Sequence, residues 1–307
     1  MKHLKLLALS AASVALFSAN PVLAEDPVIT ATATADTAAA ASEGPALWKV
    51  ADQDTTIYLF GTIHALPKEI EWYDAEIAEA LTSSDTVVTE IKMDPGSEAA
   101  MQQIAISKGL LPPETSLRSL LTPDQTQSYE AALTKLGLPT EAFDRLEPWM
   151  AALSLTMLPL MQQGYSPDAG VDKVILSKAG DIEQQALETA EFQIGIFDGL
   201  PQESQIAFMM EAAEGIDEVK PILDSMVAEW VEGDADALAA IMNEGLTDPM
   251  VAEKLLYERN KTWAEWIDAR MDSPGTIFIA VGAGHLAGEK SVQDYLAERG
   301  IATDRVQ

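Results

Sequence analysis

The sequence predicts an α/β (α+β) fold in which a central mixed β-sheet is covered by helices. Two observations carry this prediction: segments of strand composition lie near both ends of the chain, at 46–64 and 275–285, and helical patterns fill the region between them. No repeat of solenoid type is present in the sequence. The helix-rich middle is therefore expected to cover the sheet and to form one wall of a cleft.

The first predicted elements are a β-hairpin, a helix and a strand. Residues 46–50 and 55–64 have strand composition, and the polar residues ADQD between them predict a hairpin turn. A helix is predicted over 74–83. The segment DTVVTEIKM, at 85–93, is predicted to be a strand because it is rich in β-branched residues.

The middle of the chain has mainly helical patterns. In TPDQTQSYEAALTKLG, Thr122 is expected to be the N-cap, Pro123 to occupy the first helical position and Gln125 to complete a capping box. The apolar segment EPWMAALSLTMLPLMQQG is predicted to be a core helix, and GVDKVILSKAG a further helix. A strand is predicted in DIEQQALET, at 181–189, and helices resume over about 191–271.

The C-terminal part completes the predicted sheet. GTIFIAVGAGH, at 275–285, is a strongly apolar strand candidate. A helix is predicted over 288–299, and IATDRVQ is predicted to contain a short last strand.

The N-terminal residues predict export of the protein. Residues 1–24 resemble a secretory signal peptide, because Lys2 and Lys5 precede an apolar run and small residues precede the expected cleavage after Ala24. That run is short of the ~20 residues that span a bilayer. Residues 25–45 are rich in Ala and Thr and predict a disordered linker. One domain is predicted over 46–307, and a periplasmic or secreted location follows from the signal peptide.

Charge and cysteine content exclude several classes of partner. The chain has 49 acidic and 19 basic residues, which gives a formal net charge of −30. This charge repels phosphate backbones and anionic lipids, so we expect no nucleic-acid partner and no membrane insertion after the signal peptide is removed. The chain has no cysteine and therefore no disulfide. Nothing in the sequence indicates an oligomeric state.

Histidine is rare in this chain, and its positions form a pattern. The sequence has three histidines, of which His3 lies in the predicted signal peptide. The other two each end a Gly-x-x-His quartet that follows a predicted strand, namely Gly61 to His64 and Gly282 to His285. Ligands bind at the carboxyl ends of strands in open sheets, and glycine lets the backbone approach them closely. The duplicated context favours a shared functional site over two unrelated rim or core histidines.

A carboxylate is expected to join the two histidines. Imidazole is a common ligand of divalent transition metals and also transfers protons near neutral pH, but two imidazoles alone make a weak metal site. Glu90 is an acid inside the otherwise apolar predicted strand TVVTEIK, near its carboxyl end, where its burial would require a partner, and Glu188 has a similar context at the end of another predicted strand. Each could instead be a strand-end acid that faces water.

Other catalytic motifs fit poorly. GAGHLA, at 282–287, matches a variant of the dinucleotide-binding fingerprint, but only 20 residues follow it, which is too few for that fold. No G-x-S-x-G elbow and no H-E-x-x-H motif is present.

The chain resembles the TraB/GumN family, whose relatives include the Tiki-type metalloproteases. The resemblance runs from about Trp48 to the end and is carried, in order, by YLFGTIHALP, VVTEIK, EPWMAA, GVDKVILSKAG, ALETAEFQ, RNKTWAEWI and VGAGHLAGEKSVQDYLAERGI. It implies a divalent-metal-dependent peptidase, with manganese or cobalt as the supporting ion. The family pattern of two Gly-x-x-His motifs and a glutamate falls here on Gly61, His64, Glu90, Gly282 and His285.

The resemblance also draws attention to Arg259, Asn260, Glu188, Thr189 and Gln193. An arginine that faces the cleft could bind a substrate carboxylate or stabilise developing negative charge, although Arg259 could equally pair with surface acids.

The leading hypothesis is a secreted metal-dependent hydrolase that cleaves peptide bonds. In it, His64, His285 and Glu90 bind the ion, Gly61 and Gly282 let the backbone approach it, and Glu188 transfers protons; zinc or iron also suits these ligands. The substrate would be a peptide or another small molecule. Two alternatives remain: a non-catalytic periplasmic protein that binds haem or a metal, and a metal-free hydrolase with His64 as the general base.

Overall fold

The computed structural model describes residues 44–245 and 249–307. The predicted signal peptide and nearly all of the predicted linker lie outside these residues. Gly44 and Pro45, the last two residues assigned to the linker, are buried. In the described part of the chain, no helix combines the length and the apolar character needed to cross a membrane.

Most of the strands belong to one sheet. They are β1 (Leu47–Ala51), β2 (Thr55–Thr62), β3 (Leu66–Pro67), β4 (Thr86–Thr89), β5 (Tyr165–Ser166), β6 (Glu183–Ala186), β7 (Gly275–Gly282) and β8 (Asp304–Arg305). Six of these strands form a sheet in the order β6-β4-β7-β2-β1-β8, and β3 pairs with β5. The two outer pairings, β2 with β1 and β1 with β8, are antiparallel, whereas β6, β4, β7 and β2 are parallel neighbours. The predicted mixed sheet and hairpin are therefore confirmed.

The register of the parallel strands determines where the site can form. Thr62 at the end of β2 pairs with Gly282 at the end of β7, and Thr89 at the end of β4 pairs with Ala280. The carboxyl ends of parallel strands share one edge of a sheet. The loops that follow β2, β4 and β7 consequently leave the sheet side by side.

Helices cover the sheet and fill the middle of the chain, as predicted. They are α1 (Ala75–Thr82), α2 (Pro95–Gly109), α3 (Pro123–Lys135), α4 (Pro148–Gln162), α5 (Val171–Ala179), α6 (Ala190–Asp198), α7 (Gln202–Glu214), α8 (Val219–Glu232), α9 (Ala235–Gly245), α10 (Pro249–Ala252), α11 (Glu258–Met271) and α12 (Val292–Glu298). A π-helical turn over Glu253–Tyr257 joins α10 to α11.

Local sequence signals explain two of these helices. The predicted capping box of α3 is present, because the Thr122 side chain accepts from the Gln125 N–H and the Gln125 side chain accepts from the Thr122 N–H. The apolar helix α4 lies in the core, where Trp149 is fully buried and its ring stacks with that of Phe197 at 6.3 Å. Its apolar composition therefore reflects burial on nearly all sides.

The central strands are buried on both faces. Phe60 and Phe278 pack in one hydrophobic cluster, whereas their neighbours Leu59 and Ile279 pack in another. Successive side chains of a strand point to opposite faces, so β2 and β7 separate these two clusters. A third cluster joins the helices of the middle segment. The polar residues of the candidate site lie at the edge of this doubly covered sheet.

Candidate functional site

Glu90 lies immediately beyond β4, whereas the sequence predicted that it would lie inside a strand over 85–93. The strand ends at Thr89, whose hydroxyl donates to the Ile91 carbonyl at 2.8 Å. The Glu90 carboxylate reaches across to β7, where its Oε1 accepts from the Gly282 N–H at 2.7 Å. The Glu90 carbonyl accepts from the Glu188 N–H at 2.8 Å. The backbone therefore positions both predicted glutamates at the edge shared by the two quartets.

Arg259 lies between these two glutamates and is only 2% exposed. Its Nε and Nη2 donate to the two oxygens of Glu188 at 2.8 and 2.9 Å, and Nη2 also donates to Glu90 Oε2 at 2.7 Å. Nη1 contacts the Leu255 carbonyl at 2.9 Å and His285 Nε2 at 3.0 Å. All five guanidinium N–H groups thus have acceptors, so the charge is fully paired.

Two further side chains complete this buried network. The Gln193 amide donates to Glu90 at 2.8 Å and to Glu188 at 2.9 Å. The Trp263 indole N–H donates to Glu188 at 2.9 Å. Burial acts to lower the pKa of Arg259, but its two carboxylate partners outweigh burial and raise it. Thr189, also named by the family resemblance, is the N-cap of α6, where its hydroxyl accepts from the Phe192 N–H.

A π-helical turn precedes Arg259 and Asn260. The Leu255 carbonyl that accepts from Arg259 belongs to this turn. The Asn260 side chain donates to the Lys290 carbonyl at 2.8 Å, and Lys290 has a φ of 58°, in the left-handed region. Single π-helical turns are frequent at functional sites. Here the turn is followed, after Glu258, by the two residues of α11 that form hydrogen bonds with His285.

His285 is completely buried, and its partners define its tautomer. Its Nδ1 lies 2.5 Å from Asn260 Oδ1, which can only accept, so Nδ1 carries the hydrogen. Its Nε2 then accepts from Arg259 Nη1. Burial first, and then the nearby Arg259 and His64, hold the pKa of His285 well below its usual range. His285 is therefore a neutral imidazole.

His64 has a different kind of partner. Its Nδ1 lies 2.7 Å from Asp172 Oδ2, and the other carboxylate oxygen accepts from the Thr62 hydroxyl at 2.8 Å. Burial acts to raise the pKa of Asp172, but the facing His64 ring and the hydrogen bonds from His64 and Thr62 outweigh it and hold that pKa below its usual range. A carboxylate only accepts, so Nδ1 donates, and Nε2 is the nitrogen that can take up a proton.

The glycines around the quartets allow close packing. A Cβ on Gly61 would lie 3.0 Å from the Ala283 Cα, and the Gly61 carbonyl accepts from the Trp230 indole at 2.8 Å. A Cβ on Gly170 would lie 2.2 Å from the His64 carbonyl. Gly170 therefore lets the start of α5 reach the His64 loop. Gly61 has a packing contact and the Gly282 N–H binds Glu90, so the role of both glycines toward a cofactor stays a prediction.

His64, Glu90 and Asp172 line one cavity, with room for about one water molecule. Its other walls include Ile91, Met93, Pro167 and Lys173. Arg259 and His285 are not among its lining residues. Glu90 therefore belongs both to the cavity and to the buried Arg259 network.

The predicted metal ligands were expected to converge on one ion. His285 Nε2 and Glu90 Oε1 are 3.9 Å apart, within the ~4.2 Å that two donors to one ion can span. However, Arg259 contacts His285 Nε2, and both Glu90 oxygens already accept hydrogen bonds. Over residues 44–245 and 249–307, no three or more His, Asp or Glu side chains are grouped to hold an ion. As arranged, the three residues do not form a metal site, and metal binding stays a prediction that requires Arg259 to release His285.

Sequence analysis did not single out Asp172 or Thr62. Asp172 is 108 residues from His64 in the chain, so no local pattern links them. One signal was available: in GVDKVIL the acid lies beside Val171 and three residues before Ile175, on the face of α5 that is buried. A carboxylate on a buried helical face requires a partner, which the sequence alone does not name.

The comparisons with known proteins agree with the family resemblance. A family model described as the TraB/PrgY/gumN family matches residues 46–305, which is most of the chain. No curated protein and no solved structure is similar enough to count as a match. The chain belongs to the TraB/PrgY/gumN family.

Proposed function

We propose that this chain is a hydrolase of peptide or ester bonds in which His64, oriented by Asp172, activates the attacking water. The observation that carries the proposal is the His64–Asp172 contact of 2.7 Å at a cavity with room for about one water molecule. A buried carboxylate that fixes one imidazole tautomer is a recurring way to prepare a general base. The predicted export of the protein remains part of this proposal.

The proposed reaction is the attack of a water molecule on the carbonyl carbon of the substrate. The water oxygen forms a bond to the substrate carbonyl carbon, while His64 Nε2 takes the proton of the water. The imidazolium is stabilised by Asp172, and it returns the proton to the leaving amine or alcohol when the C–N or C–O bond breaks. Thr62 holds the second oxygen of Asp172. The products are a carboxylic acid and an amine or an alcohol.

Glu90 and Arg259 have different parts in this proposal. Glu90 lines the cavity and can accept a hydrogen bond from the water, which orients that water toward the substrate. Arg259 has an acceptor for each of its N–H groups, so we assign it to positioning Glu90 and not to direct charge stabilisation. Glu188 and Asn260 contribute in the same way, through Arg259 and His285.

A metal-dependent hydrolase is the second candidate. The 3.9 Å separation between His285 Nε2 and Glu90 Oε1 favours it, because two donors that close can share one ion. His64, His285 and Glu90 would hold manganese, cobalt, zinc or iron, which would supply Lewis acidity and lower the pKa of a bound water. In this candidate, the loss of either histidine should abolish metal binding and activity. In the first candidate, the loss of His64 should lower activity far more than the loss of His285.

The test compares His64→Gln with His285→Gln on a panel of fluorogenic peptides and esters. Each protein is assayed after exhaustive chelation and after reloading with each of the four metals, and its metal content is measured by mass spectrometry. We expect turnover that survives chelation and is lost in His64→Gln. Stoichiometric metal that is lost in both variants, together with activity, would support the second candidate. A haem absorption band without turnover would instead favour the non-catalytic binding protein, and activity unchanged in His64→Gln would overturn the proposal.

A further inference from the structure

We propose that Lys173 binds a carboxylate of the substrate, next to the bond that is cleaved. The substrates would then be peptides with a free C-terminal carboxylate at the scissile residue, or N-acyl amino acids. This inference rests on the proposed function, because it names the substrate class of the same cavity. It begins from the lining of that cavity, in which Lys173 is the one cationic side chain among the residues described.

The acids of the cavity do not require Lys173 as a counter-ion. Glu90 accepts from Arg259, Gln193 and the Gly282 N–H. Asp172 accepts from Thr62 and contacts His64. Each carboxylate of the cavity therefore has hydrogen-bond donors other than Lys173.

Lys173 instead contacts an acid at the surface. Its ammonium group lies 3.0 Å from Asp168 Oδ1, and the Asp168 side chain is 84% exposed. An exposed ion pair of this kind contributes little, typically under ~1 kcal/mol. Lys173 can therefore leave Asp168 for a better-placed anion at small cost.

The position of Lys173 relates it to the proposed general base. It follows Asp172 in the first turn of α5, the same turn that orients His64. The other lining residues are Thr89, Gly170 and the apolar Ile91, Met93 and Pro167, and these last three can contact the body of a substrate side chain. The cavity has room for about one water molecule, so the substrate would lie across its rim, where the Lys173 side chain is 29% exposed and its ammonium group can bind one carboxylate.

The net charge of the protein makes a local cation necessary for such a substrate. At a formal charge of −30, the protein as a whole repels anions. A carboxylate can bind only where a specific positive group outweighs that repulsion at short range.

The experiment uses two compounds that differ in one group: a furylacryloyl dipeptide with a free C-terminal carboxylate, and the same dipeptide as its amide. KM and kcat are measured for the wild type, Lys173→Gln, Asp168→Asn and the control Lys178→Gln. Lys178 is on the same helix and has the same charge, but it lies over the Tyr73 ring and does not line the cavity.

We expect Lys173→Gln to raise KM for the carboxylate compound by about tenfold or more and to leave the amide unchanged. Asp168→Asn, which frees Lys173, is expected to lower KM for the carboxylate compound, an effect that a structural role of the ion pair would not produce. Lys178→Gln is expected to change neither. Equal effects of Lys173→Gln on both compounds, or a higher KM in Asp168→Asn, would overturn the proposal.

A binding measurement separates this proposal from the proposed function. N-acetyl-phenylalanine and its amide are titrated by calorimetry into His64→Gln and into the double variant that also carries Lys173→Gln. A preference for the free acid that is lost in the double variant supports the role of Lys173 even if neither dipeptide is hydrolysed. The absence of any preference rejects it, even if both dipeptides are hydrolysed.

Discussion

The two Gly-x-x-His quartets have the same sequence pattern and opposite electrostatic surroundings. His64 contacts a carboxylate, Asp172, and lines a cavity. His285 contacts an amide, Asn260, and a guanidinium, Arg259, and is completely buried. The Asp172 carboxylate would stabilise a proton on the His64 ring, whereas burial and Arg259 keep the His285 ring neutral.

The difference teaches that the partner, and not the motif, determines what each histidine can do. A duplicated motif at the ends of paired parallel strands predicts that two side chains lie near each other. It does not predict that both have the same role. In the proposed function, the His64 end transfers protons, whereas the His285 end forms part of a buried network that contacts Glu90.

The largest expected effect comes from breaking that network at Arg259. In Arg259→Met, the buried Glu90 and Glu188 lose their cation, so we expect the free energy of unfolding to fall by about 3–5 kcal/mol. Arg118→Met is the matched control, since Arg118 also contacts two acids, Glu130 and Asp144, but is about 30% exposed. It should cost under ~1 kcal/mol. Urea denaturation measures the free energy of unfolding of both variants. Similar losses would show that burial does not make the Arg259 network more important for stability than the partly exposed Arg118 cluster.

The second expected effect concerns the His64 end. In Asp172→Asn, the amide no longer fixes the tautomer that carries hydrogen on His64 Nδ1, so kcat/KM should fall by about 10²–10⁴. The fold should persist, because the side chain keeps its size and its contact with Thr62. Asp224→Asn, which removes an acid that contacts Tyr165 and Lys220, is the control and should change kcat/KM less than about twofold. Turnover of the same peptide substrate by both variants measures this, and full activity in Asp172→Asn would contradict the proposed base.

Much of the fold follows from local patterns. The strand composition of the two segments predicts β2 and β7, and the cap residues predict α3, because both signals act over a few residues. Strand ends followed by glycine and histidine predict the site edge for the same reason. The strand that precedes Glu90 is shorter than predicted, since Thr89 bonds to the Ile91 carbonyl and turns the chain there.

The contacts that distinguish the two histidines could not be predicted. Asp172 and His64 are 108 residues apart, and Arg259 and Glu90 are 169 apart. These pairings depend on where α5 and α11 begin relative to the sheet edge. That placement depends on close approaches such as Gly170 to the His64 carbonyl and on the π-helical turn before Arg259. Long-range packing of this kind has no signature in a single sequence.

The two quartets pack against each other at Gly61 and Ala283. In Gly61→Ala, the new Cβ would lie 3.0 Å from the Ala283 Cα, so the loop of the second quartet must shift, and we expect a loss of about 1–3 kcal/mol in the free energy of unfolding. Gly195→Ala is the control: Gly195 is within α6 and a Cβ there has no heavy atom within 4 Å. It should stabilise the protein by about 0.5–1 kcal/mol. Equal effects of the two substitutions would show that the quartets are not tightly packed.

The smallest expected effect is a dependence of stability on pH that arises from His285. Its folded-state pKa is well below the ordinary value of 6.5, so below about pH 6.5 the unfolded chain takes up a proton that the folded protein does not. This contribution is absent above that pH, and it lowers the free energy of unfolding by roughly 1.4 kcal/mol per pH unit as the pH falls toward the folded-state pKa. We therefore expect the stability of the wild type relative to His285→Gln to decline between about pH 6.5 and 5, measured by urea denaturation at each pH. Taking the difference removes the titration of the carboxylates that both proteins share. A constant difference over this range would mean that His285 gains its proton in the folded protein as readily as in the unfolded chain, and the two quartets would then be electrostatically alike.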